Sequence, residues 1–560
     1  MQMRGTFIFF LLLMGSFALP ADASQDEIDQ TLHPDRIEKT SSIAPPKAPP
    51  ERNRRDTHDF RASLIRSAII ALGLVIFAVG VKKDRLSLTA RRLRMVALIG
   101  LALAAYSSYY QFFRLGHPHG FSTTDNFHYY VGSKYFKELG HYGLYECSLS
   151  ALHERGVNLP GGHDPQVRDL RSMELRRPAV IRAHGSDCQN RFSPERWRSF
   201  SQDVGFFVEK WPPHVRNAVW SDHGYHPTPV WTVVGASVAE RISLHDRSHR
   251  RFLTRIDRVL IAATLVAVAW AFGLEVGCLV AILWGTGHLW RYTWVGDAYL
   301  RHLWWIASLV GLCLLRRGAP GWGGAGLTLA TALRLFPGAL GIGYLAGALS
   351  DRMRGRAANQ DLFRFVLGSG ITLSALASLV VFNLGFQPFA EFAAKIGEFT
   401  ALSATNKVGL GALLSHFPAF VKEHSGLWRA GLILFFGALY WRGLRDAQPW
   451  EAAALGFAII PWFTDPTNYY YSFFPMGAIL AARRPLIGVI LLATALGWNL
   501  SGLWLYRSYA EFGSASAIAI LGATAVTWAM GRAAQAEMES KTEATPPHLS
   551  RETAGPPRSL

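Results

Sequence analysis

Apolar residues in this chain do not alternate with polar ones at a strand period; they come in blocks. Ile69 to Val81, Val259 to Gly273, Ile371 to Phe386 and Pro485 to Leu505 are such blocks. They run to about 13 to 21 residues, near or at the ~20 that cross a bilayer as a helix. Short arginine-bearing connections separate them. The pattern predicts a first span at about Leu64 to Val81, a second at about Met95 to Phe112, and further spans after a long polar region. The stretch Gly324 to Leu349 is too short for two full crossings and carries Arg334-Leu335-Phe336-Pro337 at its middle. Proline there breaks a helix, so two short helices meeting at an outward apex are expected, with the freed backbone lining a cavity or buried in protein. The fold class that follows is an all-α polytopic membrane protein with about 11 to 13 transmembrane helices and one large loop.

The polar segments set the rest of the organisation. Residues 1–23 combine Arg4, an apolar stretch from Phe7 to Leu19 and Ala21-Asp22-Ala23, the shape of a secretory signal peptide or an uncleaved signal anchor. Residues 24–61 hold Pro45, Pro46, Pro49 and Pro50 without periodicity and are expected to be disordered. The first two spans occupy 62–113, a large loop with interfacial helices 114–255, a helical bundle 256–532, and a disordered cytoplasmic tail 533–560. Lys82, Lys83, Arg85, Arg91, Arg92 and Arg94 form the densest basic cluster beside a span, which marks the cytoplasmic side. Arg316-Arg317, Arg352, Arg354, Arg356, Arg442, Arg445, Arg483-Arg484 and Arg532 fall on that same side. The loop 114–255 then lies outside the cytoplasm.

Composition narrows the class further. Only 17% of residues are charged, against roughly 25% in average soluble domains. The net charge of +17 sits in inter-span connections and one loop, with no nucleic-acid motif around it, so no nucleic-acid partner is expected. Cys278 and Cys313 fall in apolar runs and read as packed hydrophobes, whereas Cys147 and Cys188 share the polar loop. A disulfide between those two is one open pairing, since spacing alone does not set connectivity. The loop is rich in histidine, among them His117, His119, His128, His141, His163, His223 and His226, but none has His-Glu-x-x-His spacing.

Candidate chemistry begins where the loop opens, at Thr123-Thr124-Asp125-Asn126-Phe127-His128-Tyr129-Tyr130. Asp125 follows the second span by about a dozen residues, so it should sit near the membrane surface. A carboxylate there can take a proton from a sugar hydroxyl during glycosyl transfer; equally, it can simply cap the helix that begins near Asn126. Asp222-His223-Gly224-Tyr225-His226-Pro227 is either a binding element or a Gly- and Pro-rich turn with Asp bonding its own backbone. Arg334, at the broken apex, should face a cavity and pair with something, either a lipid-linked phosphate or a carboxylate such as Asp297. Arg291, Trp294, Asp297, Tyr299 and Arg301 form another outward cluster. Thr464-Asp465-Pro466-Thr467-Asn468-Tyr469-Tyr470-Tyr471 suits stacking on and bonding to a sugar, although interfacial tyrosines are common without any ligand. Lys395 to Gly409 is amphipathic and reads as a surface helix or a cover for the site.

An acidic residue soon after a span, a Tyr-bearing helix and a Gly-Tyr-type turn together resemble the first periplasmic loop of GT-C glycosyltransferases. The run from Asp222 to Trp231 is similar to the element that closes this loop in protein mannosyltransferases and lipid A aminoarabinose transferases. The stretch Val230 to Ala239 resembles that loop's interfacial helix. The order of elements matches over about 400 residues, although the insert between Tyr145 and Trp220 is longer and an extra span precedes the loop. The resemblance implies an inverting transferase in the inner membrane of a bacterium, with the loop periplasmic. Its donor would be a polyprenyl-phosphate-linked sugar, and its acceptor a glycan, a lipid or a protein. Asp125 is then the catalytic carboxylate, Arg301 and Arg334 hold the carrier phosphate, and Asp222, His223, Tyr469 and Tyr470 bind the substrate. A divalent cation is compatible with this class, and the residues do not identify one. The competing readings are a transporter, flippase or polysaccharide-polymerase-like protein, or a non-catalytic envelope assembly factor.

Overall fold

The computed structural model describes residues 54–81, 86–113, 121–157, 166–211, 213–356, 360–401, 406–505 and 510–543. The signal segment 1–23, the polar stretch up to residue 53, Lys82, Lys83, Arg85, His117, His119, His163 and the tail from residue 544 lie outside the described residues. The chain is mostly helical, with a single two-stranded antiparallel pair, Val167–Arg168 with Leu175–Arg176, among the described residues.

The helices that matter below are α1 (Arg54–Gly80), α2 (Leu88–Tyr109), α3 (Gly143–Glu154), α4 (Pro194–Lys210), α5 (Pro229–Ala239), α6 (Arg247–Phe272), α7 (Leu274–Gly285), α8 (Leu303–Arg316), α9 (Pro320–Leu333), α10 (Gly338–Met353), α11 (Gln360–Leu384), α12 (Gln387–Ala401), α13 (Pro485–Leu505) and α14 (Ala510–Glu543). Four contain segments long and apolar enough to cross a membrane: Phe60–Gly80 of α1, all of α11, all of α13, and Ala510–Arg532 of α14. The apolar helices α5, α7 and α8 are shorter. Two ends differ from expectation. The first helix begins at Arg54, inside the stretch expected to be disordered, because no proline follows Pro50 to stop it. The last runs to Glu543, eleven residues past Arg532, through an Ala-, Gln- and Glu-rich sequence of high helix propensity.

The broken stretch forms as the sequence predicts. Helix α9 ends at Arg334, whose backbone turns extended (φ −154°, ψ 136°), and α10 restarts after Pro337. Helices α9 and α11 approach closely on small residues. A Cβ added at Gly324 would run into the Phe365 carbonyl, and one at Gly368 into the Gly321 backbone. Such small-residue contacts let apolar helices pack without a solvent-driven force.

The loop is a folded unit with its own core. Phe127, Tyr145, Phe207, Trp211 and Trp220 are buried against one another, with ring centroids 5.0 Å apart for Phe127–Trp211 and 5.3 Å for Tyr145–Trp220. Ser193 caps α4 through the Arg196 N–H. Cys147 in α3 and Cys188 are disulfide-bonded, closing 41 residues of chain. Several contacts fasten the loop to the later helices, among them those of Thr228 and of α12. Thr228 caps α5 and donates its hydroxyl to the Ala332 carbonyl (2.6 Å), two residues before Arg334. Helix α12 docks on the loop: Glu391 pairs with His141 (3.2 Å), and buried Lys395 donates to the Leu170 carbonyl (3.1 Å).

Candidate functional site

The segment after α2 folds as a tight helical run, Thr123–Asn126, then Phe127–Val131, then Gly132–Lys134. The first turn begins after Ser122, so Asp125 lies inside the turn and does not cap it. Its Oδ1 instead accepts a hydrogen bond from Arg301 Nη1 at 3.2 Å. The backbone that delivers Arg301 is unusual, because Asp297 (φ 51°) and Leu300 (φ 49°) both adopt the left-handed conformation that non-glycine residues rarely take. Asp297 is fixed there by Arg258, whose Nη2 reaches both carboxylate oxygens at 2.8–2.9 Å, and by the Tyr292 hydroxyl. The Asp297 carbonyl in turn accepts from the Ser122 N–H (3.2 Å) and from Asn126 Nδ2 (3.3 Å). One residue thereby locks the Arg301 turn to the Asp125 turn. Asp297 is thus committed to Arg258, and the alternative that it partners Arg334 is set aside.

Arg334 instead donates to the Tyr129 hydroxyl at 2.9 Å. Its guanidinium carbon lies 5.2 Å from the Tyr470 ring centroid and 5.4 Å from that of Tyr129. Arg301 faces the same two rings, at 5.4 Å and 5.3 Å, and Tyr469 at 4.5 Å. Two buried guanidiniums therefore share an aromatic cage and, among the described residues, have one carboxylate, Asp125, in ion-pair contact. The cage keeps a net positive charge, with ring faces that favour cations holding both in place.

The proton positions along the far side follow from the partners. His226 Nδ1 donates to the Gly224 carbonyl (3.1 Å), so its Nε2 accepts from the Tyr129 hydroxyl (3.4 Å), which itself accepts from Arg334. Burial and then the charge of Arg334 push the His226 imidazolium well below its ordinary range, consistent with a neutral ring. Burial also raises the Tyr129 phenol to about 12, Arg334 opposing, so it stays protonated. A second pair lies beyond. Tyr145 donates to the Val219 carbonyl (2.6 Å) and so accepts from His128 Nε2 (2.8 Å). His128 Nδ1 is left 3.7 Å from Asp222 Oδ2.

Asp222 accepts from the His223 backbone N–H at 2.8 Å, the turn contact the sequence allows, and its side chain is 53% accessible. Burial works against its charge, but the hydrogen bond from His223 and the neighbouring His128 outweigh it, holding the carboxyl well below the ordinary range. The carboxylate is thus half open to solvent and half surrounded by protein neighbours.

Of the seven candidate residues, Arg301, Asp125, Arg334, Tyr469 and Tyr470 are in mutual contact, directly or through Tyr129, while Asp222 and His223 form an adjoining wall. Tyr129, His226 and His128 were not singled out by sequence reasoning. The one signal for the first was its place four residues after Asp125, one helical turn on. Asp465 does not join Tyr469 and Tyr470 at the site: its Oδ1 accepts from the Ala412 N–H at 2.8 Å. Asn406 and Val408 instead pair with 466–468, bracing the Tyr469 turn.

Among the described residues, the group with metal-ligand spacing is Glu146, Cys147 and Cys188. Its sulfurs are bonded to each other, and Glu146 is held by Arg171 and Arg191. An enclosed cavity of about 30 Å³ lies behind the site, between α6 and the 297–303 turn, room for about one water. Comparison with known protein families, with curated proteins and with solved structures finds no match to this chain.

Proposed function

We propose that this protein is a membrane glycosyltransferase that moves a sugar from a polyprenyl-phosphate carrier to an extracytoplasmic hydroxyl, with inversion at the anomeric carbon. The observation that carries the reading is the contact of Asp125 with Arg301 in a cage shared with Arg334. The chain crosses the membrane about 11 to 13 times on this reading, short helices included. The loop faces the periplasm of a bacterial inner membrane; its Cys147–Cys188 disulfide fits an oxidising compartment.

In the reaction, the acceptor oxygen attacks the anomeric carbon as its proton passes to the Asp125 carboxylate. The bond from that carbon to the phosphate oxygen breaks, and the electron pair leaves with the phosphate. Arg334 and Arg301 stabilise the negative charge that gathers there, where fixed cations in a dry site help most. Tyr469 and Tyr470 offer ring faces to the sugar, and Asp222 with His223 offers acceptors to its hydroxyls.

The test is turnover. Purified protein is incubated with a panel of radiolabelled polyprenyl-phosphate sugars, and carrier-free sugar or glycosylated product is counted. At least one donor is consumed by the wild type, and Asp125→Asn abolishes that consumption. Equal turnover by wild type and variant, or none on any donor, defeats the proposal.

A further inference from the structure

Helix α6 carries an unbroken exposed stripe. Arg247, Arg251 and Arg255 lie on it at four-residue intervals, followed by Val259 (60% exposed), Ala263, Val266 (69%) and Trp270 (59%). The opposite face, Thr254, Ile261, Thr264, Val268 and Phe272, is buried. Spacings of three and four place all of these on one side of an α-helix. The stripe is therefore basic over its first two turns and apolar over the rest, with a sharp change between Arg255 and Val259.

The carboxylates nearest along this helix are already committed. Asp246 caps the helix through the Ser248 N–H (2.7 Å), Asp257 pairs with His302 (2.9 Å), and Asp297 holds Arg258. Among the described residues, none of these carboxylates forms an ion pair with Arg247, Arg251 or Arg255. Their depth is also informative. At the other end, Arg317 lies 4.0 Å from the Trp270 ring centroid, an aromatic–cation pair of the kind that marks a membrane boundary. The apolar part of the stripe begins at Val259, so Arg255 and Arg251 lie one and two turns beyond it, where an apolar helix face gives way to headgroups. Guanidiniums at that depth need anionic partners from outside the protein.

We propose that the Arg247–Arg251–Arg255 stripe is a binding surface for the phosphates of anionic phospholipids in the leaflet on the loop side. Apolar side chains below it contact the acyl chains of the same lipids. The surface anchors the segment that joins the loop to the bundle. Because it lies on the outer face of α6, it is independent of any reaction at the candidate site.

The test uses the purified full-length protein in detergent. Phosphatidylglycerol and phosphatidylcholine are titrated in parallel, with bound lipid counted by native mass spectrometry. Wild type binds the anionic lipid at least tenfold more tightly, as roughly fivefold per arginine at a membrane surface implies. Substituting all three arginines by Gln removes that preference, whereas substituting all three by Lys keeps most of it. The pair Arg91→Gln and Arg92→Gln, at another helix end, leaves it unchanged. Lack of preference in the wild type overturns the proposal, as does a preference that survives the glutamine substitutions. Displacement of the lipid by equimolar inorganic phosphate overturns it too, since the surface would then be a site for free anions.

Discussion

The two sides of the candidate site are built differently. The loop wall contributes carboxylates, Asp125 and Asp222, from a disulfide-closed domain with its own aromatic core. The bundle wall contributes cations, Arg301 and Arg334, from places where the helical backbone breaks: a left-handed turn and a helix end. Exposure separates them as well. The Asp125 and Asp222 side chains are 18% and 53% accessible, whereas the Arg301 side chain is 6% accessible and Arg334 as a whole residue 7%. Buried cations cost more than exposed anions to place, and they persist only where something anionic is meant to meet them. On the proposed reading this is a division of labour, with proton handling and acceptor contacts on the loop and the carrier phosphate against the bundle.

The sharpest way to break this division is to neutralise one wall at a time. Asp125→Asn keeps size and shape, so turnover is expected to fall by ~10²- to 10⁴-fold with little change in KM for the lipid donor. Arg334→Gln should act on the other parameter. Loss of a charged hydrogen-bonding partner lowers kcat/KM by about 10- to 100-fold, mainly through donor KM. Arg334→Lys recovers only part of this, since an ammonium cannot make the two-pronged contact. Steady-state kinetics with one donor read both effects. If the two substitutions shift the same parameter equally, the walls do not divide the work.

A structural version of the comparison follows. Substituting Cys147 and Cys188 by Ser removes a cross-link over 41 residues, which is expected to cost roughly 2–4 kcal/mol of loop stability. Limited proteolysis should show the loop cut first while the bundle stays intact. Simultaneous loss of both would mean that the loop does not fold as its own unit.

How much of this could be read from the chain depends on the kind of signal. The apolar blocks and the Arg334–Pro337 break are local in sequence, and both α9 and α10 form where they predict. Asp125, Arg301, Arg334, Tyr469 and Tyr470 stood out because charge and aromatics beside spans are costly or useful. Their convergence depends on contacts such as that between Tyr129 and Arg334, 205 positions apart, which no local pattern encodes. Tyr129 was missed for a related reason: a tyrosine among neighbouring tyrosines carries no mark of being the one that two arginines share. Asp465 failed in the opposite direction, because a polar turn looks the same whether its carboxylate faces a ligand or bonds a backbone N–H.

The seam between the walls is tested through Lys395. It is fully buried in α12 against loop carbonyls, and burial lowers its ammonium to about 8. The folded value lies below the unfolded one, so the penalty is complete below pH 8. As pH rises from about 8 toward 10.4, the unfolded chain holds the proton longer and stability increases. The gain is at most about 3 kcal/mol. Lys395→Met should raise the unfolding temperature at pH 7 and flatten its rise with pH. An unchanged slope in the variant would place the titrating group elsewhere.

The smallest effect is expected at Asp222, on the open side of the loop wall. Its folded carboxyl lies below the usual range, so its contribution is present above the unfolded value of about 3.9 and is lost as pH falls through the folded one. With half its side chain in solvent, that contribution is screened to about 1 kcal/mol or less. The His223 imidazole (3.3 Å) and its backbone N–H (2.8 Å) are the direct support, with His128 beside them. Asp222→Asn should therefore lower the unfolding temperature slightly at pH 7, and the gap from wild type should narrow as pH falls below about 3.9. Asp125 has the opposite environment, with a guanidinium in contact and little solvent. If Asp222→Asn proves as damaging to turnover as Asp125→Asn while stability barely moves, proton handling belongs to the open carboxylate, and the Asp125–Arg301 pair serves to position the turn.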